Sequence, residues 1–148
     1  MTTSHHRFAG ILFTGILLVV ILAGCETDAK RALHMSKSTF EKICRNDQSA
    51  ADNIDWSVLL VNGEEVGRGF VQLTSDFEKS EYRAALISRL NNEFGGRKWN
   101  VMTVKNWRIE SQGVESVIIA ADAPNGGLIS MTFQKNGLEK KISKIDYH

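Results

Sequence analysis

The hydrophobic pattern of this chain changes at Gly95-Gly96, and that change limits the folds that the chain can adopt. Before the two glycines, Leu86, Leu90 and Phe94 recur at every fourth residue, which is the spacing of one face of an α-helix. After them the chain is rich in the β-branched and aromatic residues that favour strands. Because helices come first and strands follow without alternation, the sequence predicts an α+β body.

Two capping boxes mark predicted helix starts, Ser38 with Glu41 and Ser75 with Glu78. In such a box the hydroxyl and the carboxylate accept hydrogen bonds from backbone N–H groups that a helix start leaves without partners. The first box predicts a helix that begins at Ser38. The second predicts the main helix, which ends at Gly95-Gly96 because glycine is common where helices end.

Residues 56–73 lack a regular hydrophobic period and are predicted to form a connector that wraps the body. Asn62-Gly63 indicates a turn within it. Gly67 and Gly69 indicate places of close backbone approach or of unusual dihedral angles, because glycine has no side chain to prevent either.

Four strands are predicted after the main helix, and turn residues separate them. Asn136-Gly137 is the strongest turn signal, typical of a two-residue hairpin. These strands predict an antiparallel sheet of about four strands that packs on the long helix: Trp99 to Ile109, Val114 to Ala121, Leu128 to Gln134 and Leu138 to Tyr147.

The N-terminal residues have the order of a secretory signal, with Arg7 followed by an apolar run from Phe8 to Leu22. The run is shorter than the roughly 20 residues that span a bilayer. We therefore expect cleavage rather than a permanent membrane helix. The alternative that stays open is a signal-anchor helix that ends near Cys25.

Leu22, Ala23, Gly24 and Cys25 resemble the lipobox of bacterial lipoproteins, which consists of an aliphatic residue, two small residues and a cysteine. The resemblance implies removal of residues 1–24 and attachment of lipid, including palmitate-type acyl chains, to Cys25. The membrane would then be a partner of the protein through this lipid. The expected location is the cell envelope, and the absence of aspartate after Cys25 favours an outer membrane, facing the periplasm, in a Gram-negative cell.

Residues 25–37 are expected to be the lipidated cysteine and a polar tether, and residues 38–148 the folded domain. His34 lies in the predicted tether, where a lone histidine is most often solvated. Lys140, Lys141 and Lys144 are expected to form a solvated or edge-protecting face on the last strand, with a contact for anionic lipid headgroups or cell-wall polymers as the alternative.

Charge and cysteine content exclude several kinds of site. The net charge is +1, and Arg7 is the only charged residue before Cys25, so the remainder is neutral and gives no basic surface for nucleic acid. No cluster of His, Cys, Asp or Glu has metal-ligand spacing, and we expect no metal and no cofactor. Cys44 is expected to be a buried inert thiol, with intermolecular pairing as the alternative.

The order of elements resembles the nuclear transport factor 2-like superfamily, often described as cystatin-like. The resemblance covers residues 38–147 and includes the phrases IDWSVLLVNGEEVG, SEYRAALISRLNNEF and GLEKKISKIDY. It implies N-terminal helices and one long helix packed on a strongly bent antiparallel sheet that forms a cone. Fold alone does not determine function.

The superfamily contains isomerases and dehydratases that place an acid or base inside the cone. Asp55, Tyr82 and Asp122 are the residues that could take this role, but none of them matches a full family motif. We therefore expect no catalytic residues and a protein that is not an enzyme. An isomerase- or dehydratase-like enzyme remains the alternative.

An apolar ligand is the most specific binding hypothesis that the sequence offers. Trp56, Trp107, Met131 and Phe133 are candidate residues to line a pocket, although such residues more often form plain core. The expected function is a non-enzymatic binding or interaction module with a small apolar ligand or an envelope protein as partner. A structural subunit of an envelope complex, including a homodimer through the sheet, is a further alternative.

Overall fold

The computed structural model describes residues 28–148, in which helices precede a five-stranded sheet. The helical elements are α1 (residues 28–44), a 3-10 helix (Gln48–Asn53), α2 (Val66–Val71) and α3 (Asp76–Gly96), and a second 3-10 turn (Pro124–Gly126) interrupts the strands. The strands are β1 (Leu60–Val61), β2 (Lys105–Gln112), β3 (Ser116–Ala123), β4 (Gly127–Asn136) and β5 (Glu139–Tyr147). The predicted α+β class is confirmed.

The sheet has the strand order β1-β5-β4-β3-β2, in which β2 to β5 form a consecutive antiparallel series. The fifth strand is β1, a two-residue segment that pairs in parallel with β5, with Leu60 opposite Lys144. A strand of two residues is too short to show an alternating hydrophobic pattern, which is why the sequence predicted about four strands.

The edge strand β2 begins at Lys105, later than predicted. Asn100 starts a turn before it, because its side-chain oxygen accepts a hydrogen bond from the Met102 N–H at 2.9 Å. The pairing of β2 with β3 is irregular at two places, one of which includes Asn106, whose φ is +53°. Such bulges bend and twist a strand.

Both predicted Asn-Gly turns are present. Asn62 and Gly63 have φ values of +48° and +81°, as a type I′ turn requires, and Val61 and Glu64 exchange backbone hydrogen bonds on either side. In the β4–β5 hairpin the two loop residues are Gly137 and Leu138. Only Gly137 has positive φ, so this turn lies one residue later than expected and resembles type II′.

The main helix, α3, begins and ends where the sequence predicted. The Ser75 hydroxyl accepts a hydrogen bond from the Glu78 N–H at 3.1 Å, and the Glu78 carboxylate accepts one from the Ser75 N–H at 3.1 Å. The helix ends at Gly96. Leu90 and Phe94 are fully buried on the face toward the sheet.

The start of α1 corrects two predictions. Residues 28–44 are helical, so the Ser38 capping box does not begin a helix, and residues 28–37 of the expected tether belong to the folded body. Ala29, Ala32 and Ser36 are each at most 2% exposed. The Ser36 hydroxyl donates to the Ala32 carbonyl at 2.9 Å, which allows a polar residue to be buried. These residues have the helical spacing, but their small side chains give a weak hydrophobic signal.

The end of α1 is held by α3. The Asn91 side-chain amide donates to the carbonyl oxygens of Ile43 and Cys44, both at 3.0 Å. Asn46 then adopts the left-handed conformation common after a helix, with φ of +54°. Carbonyls that a helix end leaves unpaired are therefore satisfied by a neighbouring helix.

The predicted close approach of two backbone segments is confirmed at Gly67, whereas at Gly69 the close neighbour is a side chain. A Cβ atom at Gly67 would lie 2.7 Å from the Leu59 backbone nitrogen and 2.9 Å from the Ser57 carbonyl group. A Cβ atom at Gly69 would lie 2.7 Å from the Tyr82 hydroxyl oxygen. The connector between the helices is thus pressed against itself and against α3.

One hydrophobic core joins α1, α3 and the inner face of the sheet. Its largest fully buried side chains include Phe40 from α1, Phe94 from α3 and Phe133 from β4. Among residues 28–148, no helix is long and apolar enough to cross a membrane. The predicted signal, the lipobox and Cys25 lie outside the described residues.

Candidate functional site

The four residues predicted to line a pocket lie in or against the hydrophobic core. Met131 and Phe133 are 0% exposed, so no water-sized space touches either side chain. Trp56 is buried against Phe70, with ring centroids 5.5 Å apart, and its indole N–H donates to the Ala51 carbonyl. A role for these residues in ligand binding stays a prediction, and a ligand could reach Met131 or Phe133 only if the core opened.

Trp107 is the most accessible of the four. It lies on β2, is half-buried, and its ring centroid is 5.6 Å from that of Phe40 on α1. Neither of the two clefts described below includes Trp107 or the other three residues.

The three candidate acid or base residues are in different places and already have partners. The Asp55 carboxylate accepts hydrogen bonds from Ser57 at 2.6 Å and from Asn136 at 2.7 Å. Tyr82 lies on α3, and its hydroxyl donates to the Val66 carbonyl at 3.0 Å. Within residues 28–148, none of these three side chains is hydrogen-bonded to another of the three.

Asp122 lies near the end of β3 with its side chain 47% exposed. Its carboxylate accepts hydrogen bonds from the Asn106 amide at 3.0 Å and from the Arg108 guanidinium at 2.7 Å. The bond from Asn106, followed by that from Arg108, lowers the pKa of Asp122 below its ordinary value. A carboxylate of lowered pKa is a weak proton acceptor, so this environment opposes a role as general base near neutral pH.

A cleft of about 300 Å³ lies between α3 and the segment that contains β1 and α2. This volume is at the lower end of the range for small-molecule sites. Its lining combines aliphatic side chains with one base, one acid and one phenol: Glu64, Val66, Tyr82, Ala85, Leu86 and Arg89.

The polar centre of this cleft is an ion pair between α3 and the turn after β1. Arg89 Nη1 lies 3.0 Å from Glu64 Oε2, and both side chains are partly exposed. Arg89 Nε is buried and has no hydrogen-bond partner within residues 28–148. Because this N–H is buried, a ligand oxygen could reach it only if neighbouring side chains moved, and the partly exposed remainder of the Glu64–Arg89 pair is the accessible polar group of the cleft.

A second cleft, of about 240 Å³, lies where α3 ends and the sheet begins. The Arg97 guanidinium lies 5.2 Å from the Trp99 ring centroid and 5.5 Å from that of Tyr147. The Trp99 ring packs so closely on Gly127 that a side chain there would collide with it. Arginine above aromatic rings is a stable arrangement in itself, so Arg97 needs no ligand to hold it in place.

The comparisons with known proteins gave no match. No family model, no curated protein and no solved structure is significantly similar to the chain.

The start of α1 contacts the sheet at Lys140, whose side chain is largely buried. Lys140 Nζ lies 3.4 Å from Asp28 Oδ2 and 3.3 Å from the Gly113 carbonyl oxygen. The Lys140 side chain is only 11% exposed, so the expectation of a solvated face is wrong for this residue. Lys144, in contrast, is 41% exposed and pairs with Asp146 at 2.6 Å.

Metal and thiol chemistry have little support in the described part of the chain. Residues 28–148 contain no group of three His, Cys, Asp or Glu side chains that could hold a metal ion. Cys44 is half-buried and free, and burial, with a smaller effect of Glu41, raises the pKa of its thiol to about 11. The expected full burial of Cys44 is therefore not observed, and its inertness stays a prediction that the raised pKa supports, because a protonated thiol is a poor nucleophile.

Two features of these sites were not predicted from the sequence. The Glu64–Arg89 ion pair joins residues far apart in the chain, and no local sequence pattern predicts it. Asp28 and Lys140 are likewise brought together only by the tertiary fold. Only the helical spacing of Ala29, Ala32 and Ser36 could have indicated this contact. It predicts a helix that packs on the body and begins near Asp28.

Proposed function

We propose that this protein is a lipid-anchored cell-envelope protein whose folded body is a non-enzymatic binding or interaction module. The observation that carries the proposal is the apolar run that ends in Leu22-Ala23-Gly24-Cys25, three residues before the described body begins. This pattern resembles a lipobox, and a cysteine carrying two or three acyl chains would hold the protein at a membrane durably.

The position of α1 supports a short connection between lipid and body. Two residues, Glu26 and Thr27, separate Cys25 from Asp28, and the three fully extended steps between them span at most about 11 Å. Since Ala29 and Ala32 are buried, the folded body starts within a few residues of Cys25. The proposed module would therefore work close to the membrane surface.

The cleft beside Arg89 is the proposed binding site of the module. It has an open volume, an apolar wall and the partly exposed ion pair of Glu64 and Arg89, which are the features of a site that orients a small ligand. We expect a ligand with an aliphatic part and an acceptor oxygen. A binding role is favoured over catalysis because Asp55 and Asp122 are occupied by hydrogen bonds at the surface.

Intact-mass spectrometry of the membrane-extracted protein tests the anchor. We expect the mass of a chain that begins at Cys25 and carries acyl groups, and we expect neither cleavage nor acylation in Cys25→Ala. Cys44→Ala is the matched control and should be processed like the natural chain. An unmodified full-length mass would refute the lipid anchor.

Turnover by the purified body tests the non-enzymatic role. Residues 26–148 should show no conversion of small carbonyl or hydroxy compounds that depends on a carboxylate. If conversion occurs and is abolished by Asp55→Asn or Asp122→Asn, the protein is an enzyme and the binding proposal fails.

A further inference from the structure

Two apolar side chains project from the turns at one end of the sheet. Leu138, in the β4–β5 hairpin, is 103% exposed, and Val114, between β2 and β3, is 63% exposed. Hydrophobic side chains this exposed at hairpin tips gain nothing from the fold, because they contact little of the protein.

The two tips belong to one surface, which we call the tip surface (Val114 and Leu138). The Lys135 N–H at the end of β4 donates to the Glu115 carbonyl at 3.0 Å, next to Val114. The Lys140 ammonium, two residues after Leu138, donates to the Gly113 carbonyl at 3.3 Å. The turns are therefore joined by hydrogen bonds and present their apolar residues together.

The start of α1 lies at this same end of the body. Lys140 holds Asp28 at 3.4 Å, and Leu138 precedes Lys140 by two residues, or at most about 7 Å of chain. Cys25 precedes Asp28 by three residues, which adds at most about 11 Å. A lipid on Cys25 would thus enter the bilayer beside the tip surface.

We propose that the tip surface inserts into the interface of the bilayer that holds the lipid on Cys25, so that the body stands with this end of its sheet on the membrane. The inference rests on the proposed lipid anchor. The lipid supplies durable attachment, and Val114 and Leu138 fix the orientation, since apolar side chains favour the boundary between headgroups and acyl chains.

The charges around the tips indicate that the contact is apolar. Lys135 and Lys141 stand in the flanking strand segments together with Glu115 and Glu139, so positive and negative side chains balance. Anionic lipid attracts basic segments, and a balanced surface lacks that attraction. Orientation should therefore be the same on neutral lipid and at high salt.

Fluorescence quenching by lipid tests the proposal in the full lipidated protein. A thiol-reactive fluorophore is placed at Leu138→Cys, Val114→Cys or Met102→Cys, each with Cys44→Ala, in phosphatidylcholine vesicles that contain a lipid with a quencher below its headgroup. Met102 is the control because it is 80% exposed but precedes β2, whose eight residues separate it from the tips by about 25 Å.

We expect lipid quenching at positions 114 and 138 to exceed that at position 102 at least about threefold, as interfacial insertion of the tips requires. The difference should persist in 0.5 M salt, where the electrostatic screening length is roughly twofold shorter than at 0.1 M. A Leu138→Asp change should abolish the quenching at position 114, whereas Met102→Asp should not.

Mass spectrometry of the same samples distinguishes failure of the proposed orientation from failure of the proposed lipid anchor. Equal quenching at all three positions, or none at positions 114 and 138, in protein that carries lipid would overturn the orientation alone. A surface covered by a protein partner would give that second result. Absence of lipid on Cys25 would overturn the anchor, and the orientation with it.

Discussion

At the residue scale, the hydroxyl of Tyr147 links the last strand to the long helix. It donates to Glu93 Oε2 at 2.8 Å, and its ring packs edge-on against Phe94 at 5.2 Å between centroids. Burial, followed by the hydrogen bond and charge of Glu93, raises the pKa of Tyr147 to about 12. The folded state therefore favours the protonated phenol.

This environment predicts how stability depends on alkaline pH. An unfolded tyrosine titrates near pH 10, so the contribution of the phenol is fully present below pH 10 and is lost as the pH rises to about 12. Tyr147→Phe should lower the free energy of unfolding by about 1 kcal/mol at pH 8. Urea denaturation should show this gap closing by pH 12.

Glu93→Gln is the companion variant for Tyr147. It keeps an acceptor near the phenol but removes the negative charge, so the pKa of Tyr147 in the folded state should fall. The alkaline loss of stability should then still begin near pH 10 but be smaller and complete at a lower pH. A gap between Tyr147→Phe and the natural chain that stayed constant from pH 8 to 12 would contradict the assignment.

Cys44 gives a second prediction at this scale. With its pKa raised from 9.0 to about 11, its thiolate fraction at pH 8 should be about 100-fold below that of an unfolded cysteine. Iodoacetamide should therefore alkylate the folded protein at least that much more slowly than the protein in urea. Glu41→Gln should react faster than the natural chain, and equal rates in folded and unfolded protein would refute the assignment.

At the element scale, the close contact at Gly67 locks α2 onto the connector before β1. Gly67→Ala would place a Cβ 2.7 Å from the Leu59 nitrogen, and backbone atoms cannot easily move away. We expect a loss of about 1–3 kcal/mol in the free energy of unfolding.

Gly95→Ala is the matched control because a Cβ atom there has no neighbour within 4 Å and the residue lies inside α3. It should leave stability unchanged or raise it by about 0.5–1 kcal/mol, since alanine favours a helix more than glycine does. Equal effects of the two substitutions in thermal denaturation would count against the close contact.

Elements with strong local signals were predictable from the sequence. The capping box at Ser75 and the turn at Asn62-Gly63 are each determined by neighbouring residues, so no knowledge of the tertiary fold was needed. The first half of α1 was missed because Ala29, Ala32 and Ser36 are buried by partners distant in the chain. The cleft beside Arg89 was missed for the same reason, as Glu64 and Arg89 meet only after α3 packs on the connector.

At the scale of the whole molecule, α1 is part of the single core rather than an appendage. A chain that begins at residue 38, the boundary that the sequence suggested, would lack the buried Ala29, Ala32 and Ser36. We expect this chain to lose about 3–5 kcal/mol relative to one that begins at residue 28, comparable with removal of a large core side chain.

Circular dichroism and tryptophan fluorescence in urea would measure this loss. Both signals should shift to lower urea together, because Trp107 packs on α1 while Trp56 and Trp99 pack on α2 and α3. A change confined to Trp107 would show that residues 28–37 fold independently of the rest.

The irregular pairing of β2 affects how copies of the protein would behave when many of them share one membrane surface. Proteins held on a membrane diffuse in two dimensions, where encounters between copies are frequent and an open strand edge invites aggregation. β1 covers part of the β5 edge, and β2 forms the other edge with two bulges and the charged side chains of Lys105, Arg108 and Glu110. Bulges and charges make such an edge a poor template for another strand. High surface density would thus be compatible with copies that do not polymerise through their sheets.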